Sequence, residues 1–263
     1  MQIGVVTGLD QAAALAAAGA DYCEVNVQGV FKPMEADASA WDAAAVTNAA
    51  VSSYASCCFL PGNLKSTGPD FDLPGILAYA ERAFARAASV NCTTMVFGSG
   101  GSRQVPEGFS HDEARGQLLE ALRALGPLAA KHGIMMVLEP LNASECNIVN
   151  SVPEGAAIVR EVNHPNIRLL ADFYHMMKDG QPASDLHGNM DIIEHLHLAE
   201  PADRTPLGVA GDDFRPYLAE ALAAGYLGRI SVECRWTDLP AQIDTCLAEL
   251  RRQLAEAVPA GSR

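Results

Sequence analysis

Eight short runs of β-branched and apolar residues recur along this chain, each followed by a longer stretch of helical composition. No other feature limits the fold so tightly. The runs are Ile3–Val6, Tyr22–Val27, Val51–Ser56, Thr93–Phe97, Ile134–Leu138, Ile167–Leu170, Ile192–Leu198 and Arg229–Val232. Between them the pattern predicts helices over Asp10–Ala18, Ala38–Ala50, Leu73–Ser89, a stretch capped by Ser110 and running to Lys131, Pro153–Val162 with Ser151 as cap, Phe214–Ala224 and Leu239–Ala257. Strict strand–helix alternation argues for a parallel sheet. Eight repeats favour an α/β fold closed into a single (β/α)8 TIM barrel over an open doubly wound sheet. The 263 residues suit one such domain, 1–263, and no composition shift marks a linker. The tail Pro259–Arg263 is expected to fray.

Charge and cysteine usage narrow the partners. The net charge of -14, with no Lys/Arg cluster longer than two, disfavours a nucleic-acid partner and suits a small neutral substrate. The seven cysteines are an odd number without a Cys-x-x-Cys pair, which reads as reduced thiols in a cytoplasmic protein. The first residues enter a strand directly, with no basic leader ahead of an apolar stretch. No apolar run approaches the ~20 residues that span a bilayer, so no membrane partner is expected.

Active sites in this architecture lie where the strands end. Strand five stops at Glu139, strand six at Asp172, strand seven near His197 and strand eight at Glu233. Their separations are 33, 25 and 36 residues, each about one repeat, so the four side chains should share one barrel mouth. Each alone has an ordinary structural reading: a surface carboxylate, a helix cap, a core histidine. Together, three carboxylates would repel one another unless a cation joined them. Three oxygen donors and one nitrogen suit one divalent ion, Mn²⁺ foremost, with Mg²⁺ or Co²⁺ as alternatives. A structural zinc site fits less well, because no cysteine falls in the ring.

The motifs Leu138-Glu139-Pro140-Leu141-Asn142, Asp172-Phe173-Tyr174-His175-Met176, His195-Leu196-His197 and Val232-Glu233 resemble the xylose-isomerase-like barrel superfamily. Within it they are most similar to the sugar isomerase/epimerase group of D-tagatose and D-psicose 3-epimerases and hydroxypyruvate isomerase. The resemblance implies that Glu139, Asp172, His197 and Glu233 bind the metal and that Glu139 and Glu233 are also the acid/base pair. It implies substrate contacts for His175, Arg204 and Glu145, and a homo-oligomer, dimer or tetramer. The implied reaction moves a proton next to the carbonyl of a ketose or similar polyhydroxy compound through an enediolate. A dehydratase or lyase acting on a keto-sugar or inosose would use the same site. An abasic-site endonuclease would need more histidines and a basic rim, and a non-catalytic barrel would not need the intact ring.

Other residues carry weaker expectations. His195, two before His197, should support the ring from one layer deeper. His111 and His187 read as surface residues. Gly98–Arg103 reads as a glycine turn before an anion-binding nest. Phe31, Phe59 and Leu60 could form an apolar lip over the substrate, and Trp236 could wall the pocket or simply pack. Cys57 and Cys58, adjacent on a strand, should point to opposite faces and be structural.

Overall fold

The computed structural model describes residues 1–257. Strand β1 (Gln2–Val6) is followed by α1 (Ala12–Ala17), β2 (Tyr22–Asn26), α2 (Ala43–Thr47), β3 (Ala55–Cys57), α3 (Leu73–Ser89), β4 (Thr94–Phe97), α4 (Gly100–Arg103), α5 (His111–Lys131) and β5 (Met135–Leu138). Then come α6 (Val152–Val162), β6 (Ile167–Asp172), α7 (Phe173–Lys178), β7 (Ile193–Leu198), α8 (Arg215–Ala223), β8 (Arg229–Val232) and α9 (Leu239–Ala257). The strands pair in parallel, each with its neighbour in sequence, and β8 returns to β1. This is a single closed (β/α)8 barrel. The tail 259–263 lies outside the described residues. None of the described helices is long and apolar enough to cross a membrane.

Local chemistry sets the helix ends where the sequence marks them. Ser110 accepts from Glu113 N at 3.3 Å and caps α5, with Asp112 and Glu113 in the first turn where the helix dipole favours them. Ser151 caps α6 in the same way through Glu154 N. Two stretches depart from expectation. Ala38–Ala50 is not one helix but a 3-10 turn, Ala38–Ala40, and the short α2. Its alanines favour helix, yet only Val46 is buried there, so no apolar face rewards a longer one. The third strand begins at Ala55 rather than Val51. Ser52 O already accepts from Cys23 N at 2.9 Å, but continuous pairing with β2 starts only at Ala55.

The core has two layers. Residues facing the helices, such as Val25, Phe97, Leu138, Leu169, Leu196 and Ile230, form the large outer cluster. Alternate residues turn into the barrel. There Cys57, Val96, Val137 and Leu170 form a small apolar cluster, while Glu24, His195, His197 and Ser231 are buried polar groups on the remaining side.

Candidate metal centre

The inward parity that places Val137 and Leu170 inside the barrel carries Glu139 and Asp172 to its mouth, two residues further on. His197 and Glu233 arrive from β7 and the end of β8. One ligand atom from each of Glu139, Asp172, His197 and Glu233 lies within 4.8 Å of the others. Glu139, Asp172 and His197 are buried. Asp172 does two jobs: Oδ1 accepts from Tyr174 N at 2.8 Å, capping α7, and Oδ2 turns toward the ring. One residue thus caps α7 with one oxygen and turns the other toward the ring.

The ring fits a cation by its own chemistry. Glu139 Oε1 and Asp172 Oδ2 are buried with no hydrogen-bond partner, an arrangement that costs about 1–3 kcal/mol per group unless something positive meets them. Burial pushes the Asp172 carboxyl up to about 6, although Arg204 and His197 pull it down. Burial also raises Glu139. For Glu233 burial pushes the same way, but His197 and Arg204 outweigh it and hold the group low. His197 Nδ1 faces the ring, 3.0 Å from Glu233 Oε2 and 3.4 Å from Glu139 Oε1.

A cavity of about 310 Å³ opens above the ring, lined among others by Glu139, Glu145, His175, Arg204, Glu233 and Leu60. The structure thus brings His175, Arg204 and Glu145, the three residues for which the resemblance implies substrate contacts, into one pocket. Arg204 donates from Nη2 to Glu233 Oε2 at 2.7 Å and from Nε to Glu233 O at 2.9 Å, and its guanidinium lies 4.5 Å from the Tyr174 ring centre. The buried Glu200 holds the loop that carries it, accepting from the backbone N–H of Gly208, Ala210 and Gly211 and from Thr205 Oγ1. His175 Nδ1 accepts from Asn142 N and Nδ2, at 3.1 and 2.8 Å. That leaves the proton on His175 Nε2, 3.5 Å from Asp172 Oδ2 and free to serve an oxygen in the cavity. Glu145 accepts from Asn142 Nδ2 and Tyr174 OH.

Several lesser expectations change. Gly98–Arg103, expected as a glycine turn, is a single helical turn, α4, whose buried Arg103 donates to Phe97 O and Glu139 O, at 3.2 and 2.9 Å, clamping the ends of β4 and β5. Gly98 makes room for the ring, since a Cβ there would sit 2.1 Å from Glu139 Oε2 and that carboxylate would have to shift. Phe31 and Phe59 are core residues, so only Leu60 of the expected lip reaches the cavity. Trp236 packs against the core instead of walling the pocket. Cys57 and Cys58 do not face opposite ways. Cys58 leaves the strand with φ 59, and the two Sγ atoms lie 3.9 Å apart on the cavity wall. His111 and His187 are exposed as expected. His195 does sit one layer below the ring, where it meets Glu24, a residue the strand-end search passed over. The signal was present: a carboxylate in the middle of Tyr22-Cys23-Glu24-Val25, at an inward position.

Known proteins agree with this architecture. The family described as xylose isomerase-like TIM barrel matches residues 12–257. A 3-dehydro-D-guloside 4-epimerase of Escherichia coli is 30% identical over 127 residues, 48% of this chain and 48% of that protein. An L-ribulose 3-epimerase of a Methylomonas species is 34% identical over 122 residues, 46% of this chain and 42% of that protein. Each match thus spans about half the length of the relative. Among solved structures, a 3-keto-D-glucoside 4-epimerase from E. coli superposes with a TM-score of 0.80 at 24% identity, covering 96% of this chain and 99% of that one. An L-ribulose 3-epimerase gives 0.82 at 18% identity, covering 98% and 96%. The structural likeness speaks for the fold, and the match over residues 12–257 makes this chain a member of the xylose isomerase-like TIM barrel family.

Proposed function

We propose that the protein is a divalent-metal-dependent sugar isomerase or epimerase, with Glu139, Asp172, His197 and Glu233 as metal ligands and Glu139 and Glu233 as the acid/base pair. The observation that carries this reading is the ring itself: three carboxylate oxygens and one imidazole nitrogen within 4.8 Å, two of the oxygens buried and without partners. When bound, the cation would polarise the substrate carbonyl and hold the negative charge that develops on its oxygens. Three oxygens and one nitrogen suit Mn²⁺, Mg²⁺ or Co²⁺.

This chain's own groups supply the rest. Glu139 rises from β5 and Glu233 from β8, so a substrate lying in the cavity has one carboxyl on either side. One takes the proton next to the carbonyl, leaving an enediolate, and the other returns a proton. Return on the opposite face of the same carbon inverts it; return to the neighbouring carbon interconverts aldose and ketose. Arg204 pairs with Glu233 and keeps that carboxylate ionised. His175 Nε2 and Arg204 donate to substrate hydroxyls, and Glu145 accepts from one. The named activities of the relatives, a 3-dehydro-glycoside 4-epimerase and ketose 3-epimerases, favour keto-sugars as substrates.

The test is a panel of free ketoses, keto-sugars and 3-keto-glycosides with Mn²⁺, Mg²⁺ or Co²⁺ in deuterated water. Solvent deuterium should enter the substrate carbon next to the carbonyl without change of skeleton. No exchange on any substrate removes the proton-transfer reading. A product lighter by water or an aglycone replaces it with the elimination reading. Light scattering of the same sample tests the homo-oligomer that the resemblance implies.

A further inference from the structure

The ring does not stand alone. Beneath it, Glu24 is fully buried in the middle of β2 and touches two imidazoles that come from β7, on the other side of β1 and β8. Its Oε1 lies 3.0 Å from His197 Nε2 and its Oε2 lies 2.8 Å from His195 Nε2. Ser231 Oγ, on β8, lies 2.6 Å from the same Oε2, and Tyr22 OH lies 2.7 Å from Ser231 Oγ. No solvent reaches Glu24, His195, His197, Ser231 or Tyr22. A buried carboxylate at the centre of a barrel is costly unless every partner is a donor.

Counting protons fixes the arrangement. An ionised carboxylate accepts only. Ser231 therefore donates to Glu24, which leaves its oxygen to accept from Tyr22 OH. Both imidazoles must present Nε2–H to Glu24. Each neutral ring then carries a bare Nδ1. For His197 that nitrogen lies 3.0 Å from Glu233 Oε2, a distance at which the ion-free ring holds a second proton between them, and a bound cation takes the place of that proton. For His195 it is buried with no hydrogen-bond partner, which is tolerable for a bare acceptor and costly for an N–H. The orphaned His195 nitrogen is thus independent support for the same proton placement.

We infer that Glu24 is a positioning residue that fixes the tautomer of His197, with His195 and Ser231 as its co-anchors, so that His197 Nδ1 is delivered to the cation as a lone pair. The inference rests on the ring being a metal site. An imidazole free to choose its tautomer would spend part of its time with a proton aimed at the cation, and that proton would have to leave before binding. A carboxylate behind a ligating histidine also raises its basicity, and losing such a partner typically weakens metal binding about 10–100-fold.

Glu24→Gln breaks this device while keeping its shape. An amide offers one acceptor oxygen and one NH₂ donor, so it cannot accept from both imidazoles. Either His197 or His195 must move its proton to Nδ1. The tests are Mn²⁺ affinity by competition with a chelator and the protonated nitrogens read by long-range ¹⁵N spectra of the Mg²⁺-loaded protein. The wild type should show Nε2–H on both His195 and His197. The Gln variant should lose about 10–100-fold in Mn²⁺ affinity and show a proton on Nδ1 of one ring. Glu24→Asp, which keeps only acceptors, should lose less affinity and keep both protons on Nε2. Equal Mn²⁺ affinity in Glu24→Gln and wild type overturns the inference. A His197 proton on Nδ1 in the Mg²⁺-loaded wild type also overturns it, and that reading stands even where the variant does not fold. A wild type that takes up no divalent ion fails the metal reading of the ring itself, a different and earlier failure.

Discussion

The two arcs of the ring carry the same kind of side chain over different floors. Glu139 and Asp172 cap β5 and β6 above Val137 and Leu170, part of the apolar inner cluster. His197 and Glu233 end β7 and β8 above His195, Ser231 and Glu24. The carboxyls respond in opposite directions. Burial lifts Glu139 and Asp172, whereas His197 and Arg204 overcome burial at Glu233 and hold it down. Environments that push like groups apart are how one site obtains both an acid and a base. The apolar arc sets the demand for a cation; the polar arc holds the fixed positive and hydrogen-bonded frame.

The contrast can be broken at either end. Glu139→Gln and Glu233→Gln should each lower turnover by about 10²–10⁴-fold, measured as solvent deuterium exchange into substrate; wild-type rates in either variant would remove the acid/base assignment. Gly98→Ala strikes the apolar arc alone. Its Cβ would overlap Glu139 Oε2 and force that carboxylate out of the ring, so Mn²⁺ affinity should fall about 10–100-fold, the loss typical of a disturbed ligand shell, while the far-ultraviolet circular dichroism stays unchanged. Arg204→Ala strikes the polar arc. Losing a charge-assisted hydrogen bond worth about 1.5–3 kcal/mol should cost about 10–100-fold in kcat/KM. The Glu233 carboxyl should rise, moving the acid limb of the pH–rate profile to higher pH.

Proton linkage separates the arcs without mutation. In the ion-free protein Asp172 titrates at about 6, above its ordinary 3.8. A raised carboxyl contributes stability that is fully present below the ordinary value and is lost as pH rises through about 6. Cation binding needs the ionised form and strengthens over the same window. The gain in Tm on adding Mn²⁺ should therefore be larger at pH 7.5 than at pH 5, and a gain independent of pH would contradict the burial of that arc. The smallest effect is expected at the cavity wall, where Leu60→Ala should change KM less than about tenfold and leave kcat intact.

Much of this was legible in the chain. Hydrophobic periodicity and helix punctuation predict the barrel, because strand–helix alternation and Ser110 or Ser151 capping are local properties. The ring is legible as well, since a side chain that follows an apolar run in a closed barrel has only one place to go. Local patterns say nothing about pairs that meet across the barrel. Glu24 meets His195 and His197 over 171 and 173 residues, and Arg103 finds the carbonyl of Glu139 over 36. The Glu24 contacts depend on closure between β8 and β1, and all three on strand register and on which groups are shut away from water. The same causes put Phe31 and Phe59 in the core and brought Cys57 and Cys58 side by side. The sequence by itself determined the barrel and the four residues of the ring. Only the tertiary structure decided how that ring is supported, because hydrogen bonds and desolvation act through space.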